Sequence, residues 1–345
     1  MADRVSQRMI MDVAALRGAP VLVAGAGISG LAAAAALVEL GAEVTLTDAV
    51  ADRLLDLPPG VRAGERPDEL PPGTALVVTG PGRRPDHPLV AEAAAAGVPL
   101  VGEPELAWWI GQRRPTPPRW LVVTGTNGKT TATGMLAAVL RAAGRDAVAC
   151  GNIGYPVVDA VRAGHEVLAV ELSSFQLHWS PSVVPAAGCV LNVAEDHLDW
   201  HGSMEAYAAA KARALVGPVA VAGADDPVAA RLLAAAPAVR KVGVTLGEPG
   251  PDQLGVLDGQ LVDRAFGGGV PTVLTEAAAV HPPGPPGVTD ALAAAALARA
   301  DGVGPDAVRA GLAEFRPGPH RASAVGEVDG VRYVDDSKAT NPHAA

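Results

Sequence analysis

The sequence predicts an α/β protein built as two parallel-sheet domains in series, a Rossmann-like one followed by a P-loop-type one. Three observations carry that prediction. Residues 20–48 read strand, turn, helix, strand, with glycines at 25, 27 and 30 in the turn. Residues 119–140, RWLVVTGTNGKTTATGMLAAVL, repeat the strand–turn–helix order around a Gly-rich turn that ends in Lys-Thr. Apolar runs of strand length then keep alternating with Ala/Leu-rich helical stretches, the pattern of a sheet with crossover helices.

In chain order, PVLVAG (Pro20 to Gly25) reads as a buried strand, Ile28 to Leu40 as a helix and AEVTLTD (Ala42 to Asp48) as the next strand. ALVVTG (Ala75 to Gly80) and VPLVG (Val98 to Gly102) continue the unit. RRPTPPR (Arg113 to Arg119) has the Pro-rich, charged composition of a linker, which puts one domain at 1–112. Strands EVLAVE (Glu166 to Glu171), AAGCVLNV (Ala186 to Val193) and PVAVAG (Pro218 to Gly223) follow. HPPGPPG (His281 to Gly287) reads as a loop and DALAAAALARA (Asp290 to Ala300) as a helix ending near Gly302. FRPGPHR (Phe315 to Arg321) reads as a second hinge, so the second domain is expected at 113–317 and a further piece at 318–345.

Composition narrows the function classes. A net charge of −10 without a Lys/Arg run argues against a nucleic-acid or anionic-membrane surface. Cys150 and Cys189 are too few for a disulfide framework or a zinc site and fit a reducing cytoplasm, where the chain is expected. The uncharged stretches Pro20 to Val38 and Leu172 to Ala194 are broken by glycine, proline and polar residues, so neither reads as a membrane span. Of 27 basic residues only four are lysines: Lys129, Lys211, Lys241 and Lys338. Positive charge is otherwise written as Arg, so lysines become candidates for tasks a guanidinium cannot perform, such as a compact phosphate contact or a neutral amine.

Gly125-Thr126-Asn127-Gly128-Lys129-Thr130 is a phosphate-gripping loop. Its glycines let backbone N–H groups approach phosphate oxygens, the following helix aims its positive end at the same anion, Lys129 adds charge and the Thr130 hydroxyl can ligate Mg2+. The general GxxxxGK[ST] spacing is not met, because residue 123 is Val; the narrower TGTNGKTT, closing on Thr131, is what stands here. In the first turn, Gly25-x-Gly27-x-x-Gly30 with Asp48 closing the next strand suits any diphosphate ligand, whether NAD, FAD or a UDP-sugar. Glu171 ends a strand, where a carboxylate can hold the Mg2+ that bridges ATP phosphates. Asp196-His197 follows CVLNV; alone, it also suits a helix-capping Asp beside a core His. Lys211, in EAYAAAKARAL, would by itself read as a solvated helix lysine.

Taken together, TGTNGKTT, GNIG (Gly151 to Gly154), ELSSFQL (Glu171 to Leu177), NVAEDHLDWHG (Asn192 to Gly202), the Lys211 helix, PHR (Pro319 to Arg321) and DDSKATN (Asp335 to Asn341) resemble the Mur ligase family, in its order and over essentially the whole chain. ELSSFQL and DSKATN are similar to the members that act on D-glutamate. The resemblance implies a monomeric, cytoplasmic enzyme of peptidoglycan precursor synthesis. Its substrates would be UDP-N-acetylmuramoyl-L-alanine, D-glutamate and ATP with Mg2+, and the reaction would run through an acyl phosphate. It implies catalytic roles for Lys129, His197 and Lys211, the last as N6-carboxylysine, and metal contacts from Thr130, Glu171, His197 and Lys211. ATP would meet residues 125–131, Asp290, Arg321 and Asp336. The UDP-substrate would meet Gly27, Ile28, Ser29, Asp48, Gly80, Asn152, Ser173 and His197, and D-glutamate would meet Lys338 and Thr340.

The chain departs from the family pattern at three places. Asp290 stands where an adenine-site Asn is usual, and an ionised carboxylate cannot donate. Gly80 replaces a common Ser, and Gly223 an Asn. PHR and DSKATN would open a third α/β domain carrying most of the D-glutamate site, and the 25 residues from Arg321 are too few to bury a core. The expectation for this chain is therefore binding of both nucleotides with little ligation turnover. A catalytically silent fragment and a nicotinamide-dependent oxidoreductase are the alternative readings.

Overall fold

A computed structural model of the chain describes residues 11–66, 68–268, 270–318 and 323–338. Arg321 and Thr340 lie outside the described residues. The chain forms two compact units. The first takes in the described residues to Pro118 with Cys150–Glu166 and Leu172–Val183; the second takes in Arg119–Ala149, Val167–Glu171 and the described residues from Val184. The short helices Val157–Arg162 and Ser174–His178 thus pack with the N-terminal unit although they follow the Pro-rich stretch in sequence.

The first unit holds a five-stranded parallel sheet in the order Arg62–Ala63, Glu43–Thr47, Pro20–Ala24, Leu76–Thr79, Leu100–Gly102. Its first crossover helix is Ile28–Glu39. The fingerprint glycines have distinct causes. Gly25 sits at φ 125, a backbone conformation that L side chains rarely adopt, and a Cβ on Gly30 would fall 1.8 Å from the Gly25 carbonyl oxygen.

Glu103 opens the helix Glu103–Gln112 and is fully buried, its Oε1 accepting from the Val158 N–H at 2.6 Å. Burial pushes its carboxyl up to about 8, against the pull of the Val158 N–H. The unfolded value is about 4.3, so the folded chain holds the extra proton between these limits. This contribution is fully present below about pH 4 and is lost as pH rises through about 8. At 1.36 kcal/mol per pKa unit the effect is on the order of a few kcal/mol. Glu103→Gln is therefore expected to melt above wild type at pH 8–9 and to match it more closely at pH 5. Parallel melting curves for the two proteins across that range would count against a neutral Glu103.

The second unit is built on a nine-stranded sheet in the order Thr272–Glu276, Gln260–Asp263, Gln253–Leu257, Arg240–Val244, Val219–Gly223, Ala187–Val190, Arg119–Thr124, Val167–Glu171, Ala147–Gly151. Parallel pairing runs from Val167–Glu171 across to Gln253–Leu257. The last two pairs on the other side are antiparallel, and the outermost carries an irregularity between Leu261 and Val262. These strands were not anticipated from sequence. They begin with an Asp258-Gly259 hairpin, both residues at positive φ, the signature of a two-residue type I′ turn; Asp329-Gly330 makes another between Ser323–Val328 and Val331–Asp335.

Three helices cover this sheet's core: Lys129–Ala142, Pro285–Ala300 and Pro305–Glu314. The Pro285–Ala300 helix starts inside the stretch read as a loop, because proline fits the first helical turn, where its missing N–H costs nothing. Its residues from Ala291 to Ala298 are all buried, and Ala side chains let its neighbours approach closely. Gly311 permits a similar approach: a Cβ there would meet Val139 Cα at 2.3 Å.

Candidate functional site

In the second unit the strand Arg119–Thr124 delivers the Gly125–Thr130 loop, and Gly128 turns left-handed at φ 84 to start the helix Lys129–Ala142. Thr126 is held at both ends. Its N–H donates to Asn192, and its Oγ1 pairs with the Tyr207 hydroxyl at 3.0 Å and accepts from the Ala194 N–H at 3.0 Å. Lys129 Nζ donates to the carbonyls of Gly125 at 3.0 Å and Thr126 at 2.8 Å. Lys211 Nζ donates to the same Gly125 carbonyl at 2.7 Å.

Two lysine nitrogens sharing one carbonyl is electrostatically costly if both are charged. Lys211 is 1% exposed, which removes the reading of it as a solvated helix lysine. Burial first, and then the charge of Lys129, pull its ammonium well below the ordinary lysine value, with Asp196 opposing. The Lys211 Nζ also lies 4.4 Å from the centre of the Tyr207 ring.

Glu171 and Asp290 lie beside this loop. Glu171, 1% exposed, ends its strand in register with Val123, two residues before Gly125. Asp290 is buried against the loop: a Cβ on Gly128 would come within 2.2 Å of its Oδ1. His197 sits at φ 52, with Nδ1 3.4 Å from Asp196 Oδ1 and about half its side chain exposed. Asp336 and Lys338 follow the Ser323–Asp335 hairpin and are exposed.

The first unit carries its own pocket, a cavity of about 670 Å3 whose lining includes Gly25, Gly27, Ser29, Asp48 and Gly80. Gly27 caps the helix that begins at the 67% exposed Ile28. Asp48 braces the glycine turn, accepting from Ala26 N at 2.7 Å and Val50 N at 2.8 Å. Burial works against its ionised form, but the Val50 and Ala26 N–H groups and Arg53 outweigh it and hold the carboxyl below its ordinary range. Arg53, Arg83 and Arg84 also line the cavity, each paired with an aspartate of the same lining, Asp48, Asp68 and Asp86 respectively; sequence reading missed these arginines although Arg83-Arg84 follow closely on the strand Leu76–Thr79. Asn152 is exposed, and Ser173 spends its hydroxyl in a capping box with Gln176.

The family profile "Mur ligase middle domain" matches residues 123–296, and "Alanine dehydrogenase/PNT, C-terminal domain" matches residues 3–62. Curated relatives named UDP-N-acetylmuramoylalanine--D-glutamate ligase include one from Rhodococcus jostii, 58% identical over 96% of this chain and 68% of the relative. Another, from Nocardia farcinica, is 56% identical over 96% of this chain and 70% of its own length. Among solved structures, UDP-N-acetylmuramate:L-alanyl-gamma-D-glutamyl-meso-diaminopimelate ligase (MPL) from Neisseria meningitides aligns with TM-score 0.55 at 20% identity, covering 87% of this chain and 99% of that one. MurC from Thermotoga maritima aligns with TM-score 0.51 at 21% identity, covering 92% and 74%. These structural likenesses bear on the fold. No helix among the described residues is long and apolar enough to cross a membrane.

Proposed function

The chain belongs to the Mur ligase family of ATP-dependent, peptide-bond-forming ligases, and we propose that it joins D-glutamate to UDP-N-acetylmuramoyl-L-alanine through an acyl phosphate. The single observation that carries the nucleotide chemistry is the loop whose Gly125 carbonyl is shared by Lys129 and the buried Lys211. In this reading residues 1–112 bind the UDP-substrate, residues 113–317 bind ATP, and residues 318–345 open the amino-acid-binding part.

The chemical problem is to bring the L-alanyl carboxylate against an anionic triphosphate, which needs cations between them. Lys129 supplies one, and the positive end of its helix another. Thr130 and the buried Glu171 are hard oxygen donors at the loop and suit Mg2+, whose bound role is to neutralise charge on the phosphates. Attack of the carboxylate oxygen on the γ-phosphorus breaks the bond to ADP. The D-glutamate amine then attacks the acyl carbon, loses a proton, and inorganic phosphate departs.

The depressed ammonium of Lys211 favours a neutral amine. Such a nitrogen can bond to the carbon of CO2 and release a proton, giving a carbamate that, with His197, would help position a second Mg2+. In the first unit, Gly27, Ile28, Ser29, Asp48 and Gly80 would receive the UDP portion, with Asn152 and Ser173 toward the muramoyl-alanine end. Asp290, Arg321 and Asp336 are assigned to ATP, and Lys338 and Thr340 to D-glutamate.

The test is phosphate release from ATP measured with and without UDP-N-acetylmuramoyl-L-alanine, alongside mass detection of the D-glutamyl product. Release should depend on the UDP-substrate, and product should require D-glutamate. ATP hydrolysis indifferent to the UDP-substrate would overturn the assignment.

A further inference from the structure

Asn192 follows the strand Ala187–Val190 by two residues, and none of the roles assigned above uses it. Its Oδ1 accepts from two successive loop N–H groups, Thr126 at 3.0 Å and Asn127 at 2.9 Å. Its Nδ2 donates back to the Asn127 carbonyl at 3.2 Å, and its main-chain oxygen accepts from Thr126 N at 3.0 Å. An oxygen received by consecutive N–H groups is the arrangement in which a backbone nest holds an anion. Here a neutral amide oxygen takes that place in the first half of the turn.

The consequence is a division of labour along the loop. Donors 126 and 127 are spent inside the protein. The first intrahelical bond is Ala132 N to Gly128 O, so the N–H groups of Gly128, Thr130 and Thr131 lie ahead of any intrahelical acceptor and at the positive helix end. We infer that Asn192 is a positioning residue that fixes the first half of the nucleotide loop, so that the second half meets the ATP phosphates already shaped.

This rests on the reading of the loop as the ATP site. Removing the amide should raise the KM and Kd for ATP about ten- to hundredfold, the equivalent of one or two lost hydrogen bonds to charged or buried groups. Maximal turnover and the KM for the UDP-substrate should move much less.

The experiment compares wild type and Asn192→Ala by calorimetric titration with ATP–Mg2+, by steady-state kinetics, and by amide exchange at Thr126 and Asn127. The expected result is weaker ATP binding with a retained melting transition and faster exchange at Asn127, Thr126 staying protected by the main-chain oxygen of residue 192. Equal ATP affinity would overturn the inference, as would a proportional fall in every kinetic parameter. Wild-type protein that does not bind ATP would instead overturn the assignment of the loop. If Asn192→Ala does not fold, Asn192→Leu keeps the side-chain volume while removing both the Oδ1 acceptor and the Nδ2 donor without adding charge. It too should bind ATP more weakly, and unchanged affinity there would sink the proposal.

Discussion

Lys129→Ala is expected to lower ATP-driven turnover by about 10²–10³-fold, the loss seen when one preorganised donor is taken from a developing charge. Lys129 is the lysine of the loop itself, and its Nζ already rests on the Gly125 and Thr126 carbonyls, within reach of any anion at the helix start. The backbone cradle and the Asn192 contacts would survive the substitution, so the protein should still fold and should retain weak nucleotide binding. Lys129→Arg should recover little, because a planar guanidinium does not replace a compact ammonium on two carbonyls. The measurement is phosphate release in the presence of the UDP-substrate, and a Lys129→Ala protein within threefold of wild type would remove the residue from the chemistry.

Lys211→Ala should also lose about 10²-fold or more of the turnover if the side chain works as an anion among cations. The distinguishing measurement is rescue. A short carboxylic acid fits the space left by the side chain and restores a negative group, so millimolar formate or acetate should return part of the activity. Lys211→Arg should not respond, since a permanent cation would occupy that space beside Lys129. Full activity in Lys211→Arg would make the residue structural and dispose of the carbamate.

Much of the site was legible because its chemistry constrains neighbouring residues. Gly125 to Thr131 and Gly25 to Gly30 are contiguous segments whose spacing is tied to one turn, so the strand, the turn and the helix can be read together. The burial of Lys211 was not legible. EAYAAAKARAL has no feature that says which way its lysine faces, and the answer depends on a loop 86 residues earlier. Asn192 was hidden for the same reason: its partners lie 65 and 66 residues away. The arginines of the first-unit cavity come from separate segments, Arg53 after one strand and Arg83-Arg84 after another, and only the parallel sheet order brings those strand ends together. The strands from Gln253 to Glu276 are a different case. Asp258-Gly259 between short alternating runs is a local hairpin signal, but nothing in it says that the hairpin extends the edge of a parallel sheet.

The irregularity between Leu261 and Val262 has a bearing on self-association. A wide sheet that ends in a straight, regular strand offers a row of backbone groups on which another chain can add itself. Here the outermost strand, Thr272–Glu276, is only five residues long, ends in an acidic side chain, and is paired through a register shift that increases local twist. Each feature makes it a poor template for intermolecular β-pairing. The antiparallel extension therefore protects one edge of a parallel sheet whose assembly depends on slow, long-range contacts, during which exposed edges are most vulnerable to aggregation.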